Sequence, residues 1–320
     1  MIESLWLVMA AFLLDLAFGD PRWMPHPVRG MGWLAARLEE VLRPSPLPLR
    51  LSGTLAALLV VGLSVAAAWA LVAVAGAVHP LAGKAVSVAI MYSCFATRDL
   101  ADHALAVLEP LSAGDLEGAR TRVSWMVGRD TELLDAAGVA LAATESVAEN
   151  TVDGVTAPIF YALLLGPLGV VAYKAASTLD STFGYRNERY MEFGWASARF
   201  DDLVNVIPAR LTVFAIALAA AVAKLRVFDI FRAVRKGAAL HESPNAGYPE
   251  SAFAGALGVM FCGERSYGGV QEMAPLLGVR RGRCTALTLR RAIGLMRLTA
   301  FFFLGGGVLL SAAIGHFLFQ

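Results

Sequence analysis

From Leu51 to Gly76 the chain carries no charged side chain. Roughly 20 apolar residues in a helix cross the hydrocarbon layer of a bilayer, so this stretch already commits the chain to a membrane. Lipid offers no water to exposed backbone groups, and a lone spanning segment therefore has to be helical. Leu298–Phe319 is also uncharged and contains Gly305-Gly306-Gly307, which allows close helix contact. Val206–Ala223 is apolar around Pro208 and Arg210; Leu81–Thr97 holds Lys84, and Val155–Ala176 is interrupted by Gly166-Pro167. Composition agrees, with 57% hydrophobic and 17% charged residues against roughly 45–50% and about 25% in soluble domains. The mean hydropathy is +0.61.

No alternating strand pattern of useful length is apparent. The expected fold is therefore all-α, a polytopic integral membrane helical bundle forming one domain over residues 1–320. Residues 98–153 are polar with helical period, broken near Pro110, Gly114 and Gly128, and read as an amphipathic helical cap. Leu5–Leu14 lacks a basic leader and a clean cleavage site, so it reads as a retained helix. Net charge is +1, and no basic stripe is interleaved with aromatics, so nucleic acid is not an expected partner. Cys94, Cys262 and Cys284 lie far apart without paired spacing. They read as small core residues rather than a disulfide framework or zinc site.

Basic residues sort to the cytoplasmic side of short loops. Arg22 to Arg50 follow the first helix, and twelve Lys or Arg lie between Lys224 and Arg297. If every apolar run crossed fully, 177–205 would emerge on the opposite face from both. Either Val155–Ala176 bends back at Gly166-Pro167 as a re-entrant segment, with a similar incomplete crossing at Pro208, or a polar cavity reaches into the membrane layer. The expected location is the inner (cytoplasmic) membrane, crossed several times, with lipid as a partner.

Between its apolar neighbours, Ser177–Arg210 carries nine charged side chains. An unpaired charge near lipid costs several kcal/mol, on the order of 3 on insertion scales, so such density points to the handling of something polar. Residues 177–210 and 241–255 are therefore read as polar site loops. Asp201 and Asn205 share a helix face, with Asp202 adjacent and Asp180 upstream. Glu145 and Glu149 share another, with Asn150 beside them and Asp153 a turn on. These oxygen donors suit magnesium; they also read as solvated acidic helix ends. Arg129, Lys174, Arg186, Arg189, Arg199 and Arg210 accompany them, as phosphate or carboxylate grips or as ion-pair partners. Tyr185, Tyr190 and Trp195 suit a membrane interface. His241, Ser243, Asn245 and Gly247 form turn chemistry leading into a helix, able to present backbone N–H groups to an oxyanion; His241 reads as a structural group or a base. There is no Walker A loop, G-x-S-x-G elbow or H-E-x-x-H helix. Asp153-Gly154 resembles the opening of the CDP-alcohol phosphotransferase signature, but Pro158 replaces its Arg and the family is excluded.

Five segments follow one another between about Asp15 and Gly269: DLAFGDPRWMPHPVRGMG, SWMVGRDT, ESVAENTVDGVTAPIFY, STLDSTFGYRNERYMEFGWASARFDDLVNVIPARLT and HESPNAGYPESAFAGALG. In order and wording they resemble the cobalamin biosynthesis CobD/CbiB family, the adenosylcobinamide-phosphate synthases. The resemblance implies ATP-dependent joining of adenosylcobyric acid, a corrinoid, to aminopropanol phosphate or ethanolamine phosphate, with Mg²⁺. A carboxylate is a poor electrophile, so ATP first makes an acyl phosphate, and fixed cations offset the phosphate charge.

On that basis Glu145, Glu149, Asp153, Asp180, Asp201 and Asp202 are the expected metal ligands. Arg129, Lys174, Arg186 and Arg210 are expected to meet phosphate, while Asn150, Tyr185, Asn205, Ser243 and Asn245 orient substrates. His241, Asp180, Asp201 and Asp202 are the catalytic candidates, with His241 or a desolvated carboxylate taking the amine proton. All are expected to converge on one pocket. A homo-oligomer and late-pathway corrinoid enzymes are expected neighbours by family analogy. A membrane transporter, or a non-catalytic sensor of related fold, is the alternative; the density of polar motifs disfavours both.

Overall fold

The computed structural model describes residues 2–21, 26–185 and 187–318. Its helices are α1 (Ile2–Phe18), α2 (Pro27–Leu42), α3 (Leu49–Val78), α4 (Pro80–Tyr92), α5 (Thr97–Ala113), α6 (Leu116–Val123), α7 (Ala136–Asn150), α8 (Ala157–Phe183), α9 (Trp195–Val222), α10 (Val227–Gly237), α11 (Gly247–Leu257) and α12 (Ala286–Leu318). One π-helical turn, Thr151–Thr156, joins α7 to α8, and a 3₁₀ turn, Ala238–Leu240, follows α10. Five helical runs are long and apolar enough to cross a membrane: Leu49–Val78, Pro80–Ala113, Ala136–Phe183, Trp195–Val222 and Ala286–Ile314. The protein is an all-α, multi-pass membrane bundle with one small hairpin.

The chain divides into two compact units. The first comprises Met1–Ala96, Ala157–Asn205 and Gly306–Gln320. In it α1, α2, α3, α4 and α8 pack on one another, burying Ala56, Val60, Met91, Val170, Tyr173 and Leu179. Leu58, Leu63, Trp69, Leu71 and Val74 of α3 stay exposed, an apolar surface too continuous for water and suited to lipid. Gly53 is required where α3 meets the 193 turn, because a Cβ there would collide with the Phe193 carbonyl.

The second unit comprises Thr97–Thr156 and Val206–Gly305. Here α5, α6 and α7 pack together, and α10 and α11 pack on each other and on the hairpin. Asp115 and Asp135 cap α6 and α7 by accepting the N–H of Gly118 and Gly138, each satisfying a free helix-start donor. The hairpin, β1 (Met260–Tyr267) and β2 (Val270–Gly278), is antiparallel. Phe261 opposes Leu277, both fully buried. It turns on Gly268-Gly269, both at positive φ, as tight two-residue hairpins need. The alternation that would have announced these strands is broken by a bulge between Phe261 and Gly263.

Two expectations change. The 177–210 and 241–255 segments are not loops throughout: Ser177–Phe183 ends α8, α9 begins at Trp195, and α11 begins at Gly247. Their polar residues are spaced at helical period, which a density count overlooks. At Pro208 α9 continues as helix, whereas at Gly166 the backbone leaves the helix, with φ 65° and ψ −149°.

That conformation is open essentially to glycine alone, and other residues pay about 1–3 kcal/mol there. Gly166→Ala is expected to lower the apparent Tm in detergent. Gly62→Ala, in the interior of α3 with nothing near its added Cβ, is expected to leave it unchanged or raise it.

Candidate functional site

In the second unit, α7 carries Glu145 and Glu149 one turn apart. Glu145 is 4% exposed. It accepts from the Arg129 guanidinium and from the Cys262 backbone N–H, and Arg265 Nη2 lies 3.6 Å away. Cys262 holds φ 65° at the bulge, a left-handed value rare outside glycine, and its N–H is what reaches Glu145. Arg265 Nη2 also donates to Cys262 Sγ at 3.0 Å. The Nε–H of Arg265 is buried without a partner.

Glu250, near the start of α11, is 3% exposed. Its Oε2 lies 3.5 Å from Cys262 Sγ, and its Oε1 lies 3.4 Å from His241 Nε2. Close approach of α10 and α11 at Gly255, where a Cβ would strike the Asp229 backbone, helps seat this helix. Burial raises the Glu250 carboxyl to about 8, and the charges of Glu149 and Glu145 add to it, with Arg265 and the Cys262 thiol opposing. Burial, with the Glu250 charge, likewise pushes the Cys262 thiol up. His241 is lowered by burial and sits neutral. Its Nδ1 accepts the Ser243 N–H at 3.0 Å, so both ring nitrogens already have neighbours. Arg129, Glu145, Glu149, Glu250, Arg265 and Tyr267 line a cavity of about 130 Å³. Glu149 is the exposed carboxylate of that wall. A larger cavity in the same unit, about 460 Å³, is walled by Arg280, Arg281, Arg283 and Cys284 with Leu141 and Met260.

The turn next to Arg129 is latched to the hairpin tip by Asp130. Its carboxylate accepts from Ser266 Oγ at 2.6 Å and from the N–H groups of Gly268 and Gly269 at 2.9 and 2.8 Å. These bonds hold the Asp130 carboxyl below its ordinary value. Elsewhere in this unit Ser243 Oγ accepts the N–H of Asn245 and Ala246, so those groups serve the start of α11. Arg210 donates to Asn245 Oδ1 at 3.1 Å and lies over the Tyr248 ring. Asn150 donates to the Ser146 carbonyl, and Asp153 lies half-buried in the π-helical turn.

The remaining predicted residues belong to the first unit. Asn205 is buried, donates to both oxygens of Asp201 at 3.1–3.2 Å and accepts the Tyr173 hydroxyl at 3.0 Å. Asp180 lies within electrostatic reach of Asp202, which pairs with Arg199 at 3.1 Å. Lys174 is half-buried and Tyr185 exposed. Arg186 lies outside the described residues.

Sequence reasoning missed Glu250 as a site residue and treated Cys262 as core; Arg265 drew no attention. Glu250 stands inside the HESPNAGYPESAFAGALG segment, where an acid amid small apolar residues is a readable signal. Also missed was Glu39, which accepts from Arg43 and Arg189 at 2.9 and 3.0 Å in the first unit.

Fold and site together define a multi-pass membrane protein whose second unit encloses a carboxylate and guanidinium cavity. The sequence profile of the CobD/Cbib protein family matches residues 8–296, and the chain belongs to that family. It is 48% identical over 278 residues to the cobalamin biosynthesis protein CobD of Geobacter metallireducens, covering 87% of each chain. It is 43% identical to CobD of Klebsiella pneumoniae, over 85% of this chain and 86% of the relative. Identity is 38% to CbiB of Salmonella typhi, over 89% and 91%. No solved structure matches. Membership gives the chain a role in cobalamin biosynthesis.

Asp130→Ala is expected to speed amide exchange at residues 266–269, read by hydrogen–deuterium exchange, with the α5 and α6 amides unchanged. Because the folded pKa is depressed, the latch in the wild type holds above the ordinary carboxylate range. It is lost as pH falls below about 3.8, the unperturbed value.

Proposed function

We propose that the chain is an adenosylcobinamide-phosphate synthase, an ATP-dependent ligase that joins a propionate of adenosylcobyric acid to the amine of aminopropanol phosphate. The observation that carries this reading is that three sequence segments, SWMVGRDT, ESVAENTVDG and HESPNAGYPES, meet at one cavity through Arg129, Glu145, Glu149 and Glu250. They belong to the same run of motifs by which the chain resembles the family.

In this reading the γ-phosphoryl group of ATP passes to a propionate oxygen and ADP leaves. The amine nitrogen then attacks the acyl carbon, the bond from that carbon to the phosphate oxygen breaks, and phosphate departs with its electron pair. The nitrogen loses a proton in the process. Arg129 and Arg265 supply the fixed cations, and the unpartnered Nε–H of Arg265 is a donor available to an anion. Glu149, as the exposed carboxylate of the wall, takes the proton. His241, bonded at Nδ1 and facing Glu250 with Nε2, positions Glu250 instead. The arginine-walled cavity at 280–283 is the natural seat for nucleotide phosphates.

The oxygen donors fit Mg²⁺ at Asp153 in one unit and at Asp180 and Asp202 in the other. Glu145, already taken by Arg129, Arg265 and an N–H, does not. When bound, Mg²⁺ supplies positive charge to offset the phosphates.

Protein purified in detergent is expected to yield the amide, identified by mass, with one phosphate per amide, from adenosylcobyric acid, aminopropanol phosphate, ATP and Mg²⁺. Phosphate release without amide, or no turnover with all components present, overturns the reading. Glu149→Gln should lower kcat by about 10²-fold or more, with KM for ATP little changed.

A further inference from the structure

We propose that His241, Glu250 and Cys262 form a site for a divalent transition metal of the zinc or cobalt(II) class, separate from the magnesium that accompanies nucleotide. The three come from different places: the turn after α10, the start of α11 and the bulge of β1. Their donor atoms, an imidazole nitrogen, a carboxylate oxygen and a sulfur, all lie within 4.8 Å of one another. His241 Nε2 lies 3.4 Å from Glu250 Oε1, and Cys262 Sγ lies 3.5 Å from the other carboxylate oxygen, Oε2. A tetrahedral ion with bonds of about 2.0–2.1 Å to nitrogen and oxygen and about 2.3 Å to sulfur keeps its ligands roughly 3.3–3.6 Å apart. The two contacts have that length but fall on different oxygens of Glu250, so ligation through one oxygen asks the carboxylate to turn and the three donors to draw together.

The chemistry selects the ion. A sulfur ligand favours zinc or cobalt(II) and is a poor partner for magnesium, which demands oxygen. Charge also balances, because one carboxylate and one thiolate offset the two charges of the ion, as a buried centre requires. The surrounding groups suit ligation as well. Arg265 Nη2, 3.0 Å from the sulfur, donates to a bound thiolate. Three protein ligands leave one position open, as in zinc sites that take water or substrate. Glu250 also lines the polar cavity. The site stands whether or not the ligase reading holds.

The test uses the full chain in detergent, carrying an affinity tag free of histidine and cysteine. The protein is loaded with Zn²⁺ or Co²⁺ and desalted. One equivalent of metal should remain, measured by elemental mass spectrometry, and the Co²⁺ form should show a sulfur-to-cobalt charge-transfer band in the near ultraviolet. Cys262→Ser should abolish that band, and His241→Ala should lower retained metal by roughly tenfold or more; Cys94→Ser should change neither. The wild type alone can overturn the proposal, by retaining no stoichiometric metal or by showing no thiolate band. Full retention of metal and band in Cys262→Ser overturns it too. Misfolding of a variant, seen by circular dichroism, leaves the wild-type spectrum to decide.

Discussion

The ion-pair cluster at Glu145 holds the second unit's site together. A carboxylate this buried would cost about 3–5 kcal/mol if one of its partners were removed. The chain meets that demand from the turn before α7, through Arg129, and from β1, through the Cys262 N–H and Arg265. Satisfying one side chain thus sets where the hairpin lies against α7 and which way the bulge turns. Everything else in the cavity follows from the placement. With the bulge fixed, the Cys262 sulfur falls beside Glu250, and Arg265 is carried into the wall.

The first unit solves the same problem differently. Several of its polar groups are bonded in small sets: Glu39 with Arg43 and Arg189, and Asp201 with Asn205, which also accepts the Tyr173 hydroxyl. The Tyr161 ring stacks on Tyr173 at 5.2 Å and its hydroxyl reaches the Val204 carbonyl. Such bonds lower the cost of holding charged and amide groups beside apolar helices. Arginine stacking adds to this, with Arg43 lying 4.6 Å over the Phe193 ring.

Long uncharged runs made the membrane helices legible, because hydropathy over about 20 residues is a strong signal. The breaks within 98–153 were readable in part: α5 ends at Ala113, just before Gly114 at φ 80°, but runs through Pro110, where a break was expected. The hairpin was not, although Gly268-Gly269 is a two-residue turn signal. Its one-residue bulge at Cys262 shifts the alternation, so neither half reads as a strand by itself. Glu145 and Arg129 were visible as charges in polar motifs. Their pairing was not, since it joins a turn to a helix 16 positions on. Glu250 and Cys262 show why isolated residues mislead: each looks ordinary in its own segment and becomes chemical only beside the other.

Two carboxylates of the second unit pull stability in opposite directions with pH, and the contrast separates holding from chemistry. Asp130, bonded by a hydroxyl and two N–H groups, has its folded pKa lowered. Its contribution is therefore present at neutral pH and fades only in acid. Glu250, raised from 4.5 to about 8, keeps a proton in the folded state that the unfolded chain releases. Its contribution therefore declines as pH climbs through that interval. A side chain kept only for packing has no reason to accept that penalty, since an apolar residue of similar size would avoid it. The cavity holds three carboxyl groups against two guanidiniums, and the surplus acid that stays protonated at neutral pH is the deeply buried Glu250. A cavity that carries one acid more than its fixed cations neutralise is built to receive something positive, or to give up a proton when something positive arrives.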